Sequence, residues 1–166
     1  FDMHFNKSLK NCLPESITHL RFGYLFNEDL NTSSVKFLDF NFSFDNDIRG
    51  YLPKGLKSLT LGYSFNRNIE GCLPEGLEIL IFGGRFDQNI EGCIPQSVKH
   101  LEFILFFNQS IHNCLPPSLT YLNLGHVFDQ SISDCLPPTL IHLVLSHNFN
   151  QNIRNCLPPS IEHLSF

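Results

Sequence analysis

The chain has 166 residues, of which 42% are hydrophobic and 16% charged, with a net charge of −5, 17 Phe and no Trp. This length fits one domain, the charge speaks against a nucleic-acid partner, which needs clustered Lys and Arg, and no apolar run approaches the roughly 18 residues of a membrane helix. No secretory signal pattern opens the chain, and because it begins at Phe1 rather than Met it is expected to be a fragment or processed product of a longer repeat protein.

Taken in chain order, one short unit recurs. A Leu-Pro or Ile-Pro pair places Pro14, Pro53, Pro74, Pro95, Pro116, Pro137 and Pro158, with a constant step of 21 from Pro53 onward. A Phe followed by Asn or Asp falls at Phe5, Phe26, Phe44, Phe65, Phe86, Phe107, Phe128 and Phe149, and its single short step, of 18, lies between Phe26 and Phe44. The second unit, around 27–44, has therefore lost the Cys-Leu-Pro turn and kept its strand. Eight units of about 21 residues make one domain over 1–166, and a fixed period in this range predicts a solenoid in which no coil buries its apolar face alone.

Within each unit, alternation such as Tyr121-Leu122-Asn123-Leu124 predicts a short half-buried strand, and stacking the copies predicts a parallel sheet with about 4.8 Å between neighbours. The remainder of the unit is rich in Pro, Asn, Ser and Gly and leaves no room for an ordinary helix. The fold class expected is thus mainly β, a leucine-rich-repeat-like solenoid with extended segments and turns opposite the sheet. The Phe residues should form a column of rings through the core, and Pro should fix the return turn. From Asp45 on, the residue after the Phe alternates Asp, Asn, Asp, Asn, Asp, Asn, which keeps carboxylates from stacking and would let each amide donate to a neighbouring acid.

Cys12, Cys72, Cys93, Cys114, Cys135 and Cys156 share one repeat position, with Tyr51 as the substitution. Equivalent positions of a parallel stack point the same way rather than at each other, so reduced core thiols are expected over neighbour disulfides or a metal site. Reduced thiols in turn fit an intracellular, cytoplasmic protein.

Units such as "LPPSLTYLNLGHVFDQSI" and "LPEGLEILIFGGRFDQNI" resemble FNIP repeats, a subclass of leucine-rich repeat found in slime moulds and in large DNA viruses of protists. The resemblance covers nearly the whole chain. It implies a protein-interaction module, and, because such repeats often follow an F-box in that family, the substrate-recognition part of an F-box-type adaptor.

No catalytic motif is present: no Gly-rich phosphate loop, no Gly-x-Ser-x-Gly, no His-Glu-x-x-His and no Cys-x-x-Cys. The chain is not expected to be an enzyme or to hold a cofactor. Strand-face His19, His100, His142 and His163 lack the further N or S ligands that zinc requires and read as solvated surface residues. The outward strand positions impose least on the fold and are where function is expected. Among them Phe37, Ile79, Ile81 and Tyr121 are candidate protein-binding anchors, flanked by His100 and Glu102, since large apolar side chains there have no packing purpose. The alternative is a structural protein that self-associates, as a homodimer through a terminal coil presenting Leu157, Ile161, Leu164 and Phe166.

Overall fold

The 21-residue period translates directly into strand register. The structure, a computed structural model, describes residues 5–9, 12–23, 26, 28, 34–40 and 42–166. Phe1 and most of the trimmed segment 27–33 lie outside them. Eight strands follow one another: β1 (His19–Arg21), β2 (Phe37–Asp39), β3 (Ser58–Thr60), β4 (Ile79–Phe82), β5 (His100–Phe103), β6 (Tyr121–Asn123), β7 (His142–Val144) and β8 (His163–Ser165). They form a single parallel sheet in sequence order, with no helix among the described residues. His19 pairs with Phe37, and from Phe37 onward each residue pairs with the one a full repeat later, so the eighteen-residue step is absorbed between β1 and β2. The trimmed unit therefore leaves the sheet register intact.

The strands are short because only their central residue needs to point inward. Leu20, Leu38, Leu59, Leu80, Leu101, Leu122 and Leu143 occupy this position and are buried, while their neighbours in each strand face out. Beneath the sheet runs the Phe column. Phe44, Phe65, Phe86, Phe107 and Phe128 are buried, with successive centroids 6.2, 6.2, 6.2 and 6.1 Å apart and ring planes within 12° of parallel. A second Phe just after the strand reinforces it where present: Phe82 stacks on Phe86 at 3.9 Å and Phe103 on Phe107 at 3.7 Å. Each buried ring removes its whole apolar surface from water, worth about 2–3 kcal/mol before chain entropy.

Two tight turns carry the chain from the Phe column back to the sheet. The N–H of each Cys, or of Tyr51, donates to the carbonyl three residues earlier, and the carbonyl of each turn Pro accepts from the N–H three residues later, as in Cys93→Ile90 and Val98→Pro95. Proline suits that position because only its carbonyl is used. The residue just before the Cys adopts a left-handed conformation, at Gly50, Gly71, Gly92, Asn113, Asp134 and Asn155. Gly, Asn and Asp are the residues that tolerate this region at least cost.

The polar ladder differs in one respect from the sequence expectation. The amides do not donate to neighbouring acids. Instead the Oδ1 of Asp45, Asn66, Asp87, Asn108 and Asp129 each accepts the backbone N–H of the next ladder residue, at 2.8–3.0 Å. Asn and Asp are equivalent as acceptors, so the alternation is not required by the hydrogen bond. From Asn66 to Asp129 the same oxygen also takes a Gln side-chain N–H from the next coil, as in Gln109→Asp87, whereas Asp45 pairs with Arg67. For Asp129 the bonds from Asn150 and Gln151 hold the carboxyl below its usual range.

The cysteines are all free, but they are not uniformly core residues: Cys72 and Cys114 are buried, Cys93, Cys135 and Cys156 are half-buried, and Cys12 is exposed. In the last five coils the Sγ–H donates to the carbonyl two residues earlier, at 3.2–3.5 Å. This shared hydrogen bond gives the thiols the same partner in each coil, as equivalent positions of a stack require. Burial, with the nearby Glu91 charge second, pushes the Cys114 thiol up to about 11, which holds it in the protonated, unreactive form.

Ring spacing reveals curvature. His142 and His163, identical residues in adjacent strands with coplanar rings, lie 4.2 Å apart on the outer face of the sheet. Strand backbones repeat at about 4.8 Å, and the Phe column beneath repeats at about 6.2 Å. The coils thus splay with depth, so the exposed face of the sheet is the concave one.

Candidate functional site

The concave face is built from two rows of side chains flanking the buried Leu column. The first row runs His19, Phe37, Ser58, Ile79, His100, Tyr121, His142, His163, and the second Arg21, Asp39, Thr60, Ile81, Glu102, Asn123, Val144, Ser165. In-register pairing makes equivalent residues touch across strands, so the face consists of rows rather than isolated side chains. His100 stacks on Tyr121 at 4.1 Å, Tyr121 tilts against His142 at 5.9 Å, and His142 stacks on His163. At the other end His19 stacks on Phe37 at 4.2 Å.

All the protein-binding candidates lie on this face. Phe37 and Ile79 are exposed, at 41% and 37%, although the central Leu between each such pair of outward residues is buried. Ile81, His100, Glu102 and Tyr121 are half-buried by their row neighbours. His100 Nε2 meets Glu102 Oε1 at 2.5 Å, which joins the two rows beside the Ile79–Ile81 pair. Burial, and next the Glu102 charge, push the Tyr121 hydroxyl above its ordinary range, leaving it a neutral donor. The face therefore carries an apolar pair on β4, Ile79 and Ile81, and a ring-edged polar stretch over β5 to β8.

A hollow of about 420 Å³ opens at the β1–β3 end, lined by His19, Arg21, Phe37, Asp39, Ser58 and Thr60. Its one cation is already neutralised, since Arg21 Nε donates to Asp39 Oδ2 at 2.7 Å. Along the entry side of the strands, Lys57 and Lys99 clasp Glu78 at 2.8 and 3.1 Å and hold its carboxyl below the usual range. These exposed pairs contribute little to stability. Among the described residues no three His, Cys, Asp or Glu converge as metal ligands, and no helix is long and apolar enough to cross a membrane.

The terminal candidates lie elsewhere. Leu157 and Ile161 are half-buried in the last turn, and Leu164 and Phe166 are exposed on and beyond β8. The sequence reading missed a further set, just past the strand ends, where Phe42, Tyr63, Ile104 and Phe106 stand at the margin of the sheet. These residues differ from unit to unit, so the repeat gave them no weight. A run of three large apolar residues between a strand and its Phe, as in Ile104-Leu105-Phe106, was the available signal.

The family model described as FNIP Repeat matches residues 5–33, 32–64, 65–106, 107–143 and 132–166. No curated protein matches the chain by sequence. Among solved structures, the crystal structure of CroV588, a novel circular LRR protein from a giant virus, is similar to it with a TM-score of 0.81 and 38% identity. That similarity covers 98% of this chain and 29% of CroV588, so the chain spans less than a third of the length of that protein.

Proposed function

The chain belongs to the FNIP-repeat family, and on that premise we propose that it is a non-enzymatic protein-interaction module whose concave sheet face receives the surface of a folded protein partner. The observation that carries this reading is the exposure of Phe37 and Ile79 on a sheet whose inward Leu column is buried from Leu20 to Leu143. Large apolar side chains that contribute nothing to the core are the groups an interface buries at its centre. Curvature adds to it: coils that splay from 4.2 Å at the outer rings to 6.2 Å at the Phe column wrap a convex surface. Splay in this sense is also what a closed ring such as CroV588 needs, and an arc of a longer curved assembly is the setting in which this face would work. The finer role, substrate recognition for an F-box-type adaptor, rests on the family's habit of following an F-box.

The double variant Ile79→Asp/Ile81→Asp tests the reading. Both side chains point to solvent, so the melting temperature should stay within a few degrees of the parent, while affinity for a partner purified with the parent chain should fall at least tenfold, about 1.4 kcal/mol. Unfolding of the variant would mean that these residues belong to the core. Undiminished binding by a folded variant would place the interface on another surface.

A further inference from the structure

Beyond the concave face, we propose that the margin just past the strand ends is a second docking strip, built for an extended acidic peptide segment with interspersed apolar side chains. The strip comprises the residues between each strand and its column Phe, at 62–64, 83–85, 104–106, 125–127 and 146–148 together with 42 and 43. It contains Phe42, Tyr63, Ile104 and Phe106, one Arg, two His and not a single Asp or Glu, in a chain whose net charge is −5.

The strip is preformed rather than a set of loose loops. Ser64 N–H donates to the Phe42 carbonyl, Arg85 to Tyr63, Phe106 to Gly84 and Val127 to Leu105, at 2.9–3.1 Å, so one backbone ladder crosses five coils. Its apolar side chains nevertheless remain in water: Phe106 is 49% exposed, Ile104 47% and Phe42 39%. The Tyr63 ring stacks on Phe42 at 4.5 Å and occupies the space above Gly84, where a Cβ would fall 2.5 Å from it. Arg85 lies over the same ring with its Cζ 5.9 Å from the centroid. Apart from this cation–π contact, no side-chain acceptor among the described residues binds its guanidinium.

Charge selects the partner. The ladder carboxylates take other partners, Asp45 pairing with Arg67 and Asp87 and Asp129 accepting from backbone and Gln N–H groups of the next coil, and none of them pairs with Arg85. Arg85 is therefore a fixed cation open to a carboxylate from outside, held between aromatic and aliphatic anchors. Alternate side chains of an extended segment fall about 6.6 Å apart, close to the 5.7 Å at which His126 and His147 repeat along the strip. A lipid surface is the poorer fit, because binding to anionic headgroups draws on clusters of Lys and Arg, whereas the strip holds a single Arg and no Lys.

A fluorescein-labelled twelve-residue peptide alternating Glu with Phe and Leu provides the probe, with its Glu→Lys analogue as control. Fluorescence anisotropy should show micromolar binding of the Glu peptide, at least tenfold weaker with Arg85→Glu and, independently, with Ile104→Ser/Phe106→Ser. The Lys analogue should not bind, and Ile79→Asp/Ile81→Asp should leave the affinity unchanged, which separates this strip from the concave face. No binding, equal binding of the Lys analogue, or undiminished binding by either strip variant would overturn the proposal. So would association of the unlabelled chain with vesicles of 3:1 phosphatidylcholine and phosphatidylserine in place of the peptide.

Discussion

Replacing Phe86 by Ala is expected to lower stability by about 3–5 kcal/mol, the largest loss available from a single truncation in this chain. The ring is fully buried and touches aromatic rings on every side: Phe65 and Phe107 in its column at 6.2 Å, Phe82 of its own coil at 3.9 Å and Phe103 of the next. Truncation removes these contacts and leaves a cavity that parallel, close-packed coils cannot collapse to fill. Because stacked coils contact only their neighbours, the loss is concentrated in the middle of the array, where it uncouples the two halves. Phe106→Ala makes the same chemical change on a half-exposed ring and should cost well under about 1 kcal/mol. Urea denaturation of both variants measures the difference, and equal midpoints would mean that the column is not the core.

Gly83→Ala is expected to be comparably damaging for a different reason. A Cβ at this position would lie 1.9 Å from the Gly62 carbonyl oxygen and 2.8 Å from the Tyr63 Cα, both backbone atoms of the preceding coil. No rotamer relieves a clash between two main chains, so the coils must separate, breaking ladder hydrogen bonds at the sheet margin. A loss of about 3 kcal/mol or more follows. Gly71→Ala is the informative comparison: its added Cβ meets nothing within 4 Å, and only the left-handed backbone opposes it. That cost is about 1–2 kcal/mol. A Gly83 variant no less stable than the Gly71 variant would show that the coils are not in such close approach.

Much of this architecture is legible in the sequence because the repeat does the averaging. At every one of the eight units the alternation around the central Leu marks the strand, from Leu20 to Leu164, although β4 and β5 run one residue further, to Phe82 and Phe103. The column of Phe and the Pro turns are equally visible, since packing demands the same residue each time. Three things escape a reading based on period. Curvature arises from the difference between ring spacing at Phe86 and strand spacing, which is a three-dimensional quantity. The Asn–Asp ladder proved to use only an oxygen acceptor, so the alternation from Asp45 to Asn150 holds less information than its regularity promises. The post-strand margin, with Tyr63 lying over Gly84 and Phe106 left in water, is individual to each coil, and no consensus position points to it.

The candidate site shows the same division. The anchors Phe37, Ile79, Ile81 and Tyr121 were visible as apolar residues at outward positions. Their grouping into an apolar pair and a stacked ring row depends on in-register contact, as between His100 and Tyr121. The cysteines show the limit most clearly. One repeat position was recognisable, but burial at that position ranges from exposed Cys12 to buried Cys114, because the turn lies at the rim of the solenoid rather than at its centre.

Photocross-linking tests the central claim, that the concave sheet face is the binding surface, most directly. p-Benzoylphenylalanine is placed at position 79, in the middle of that face, and in a second variant at position 75, an exposed turn residue before the strand. Irradiation in an extract of the native host should give a discrete protein adduct from position 79 that is absent from position 75 and is competed away by unmodified chain. An adduct from position 75 with none from position 79 would contradict the account and move the interface off the sheet.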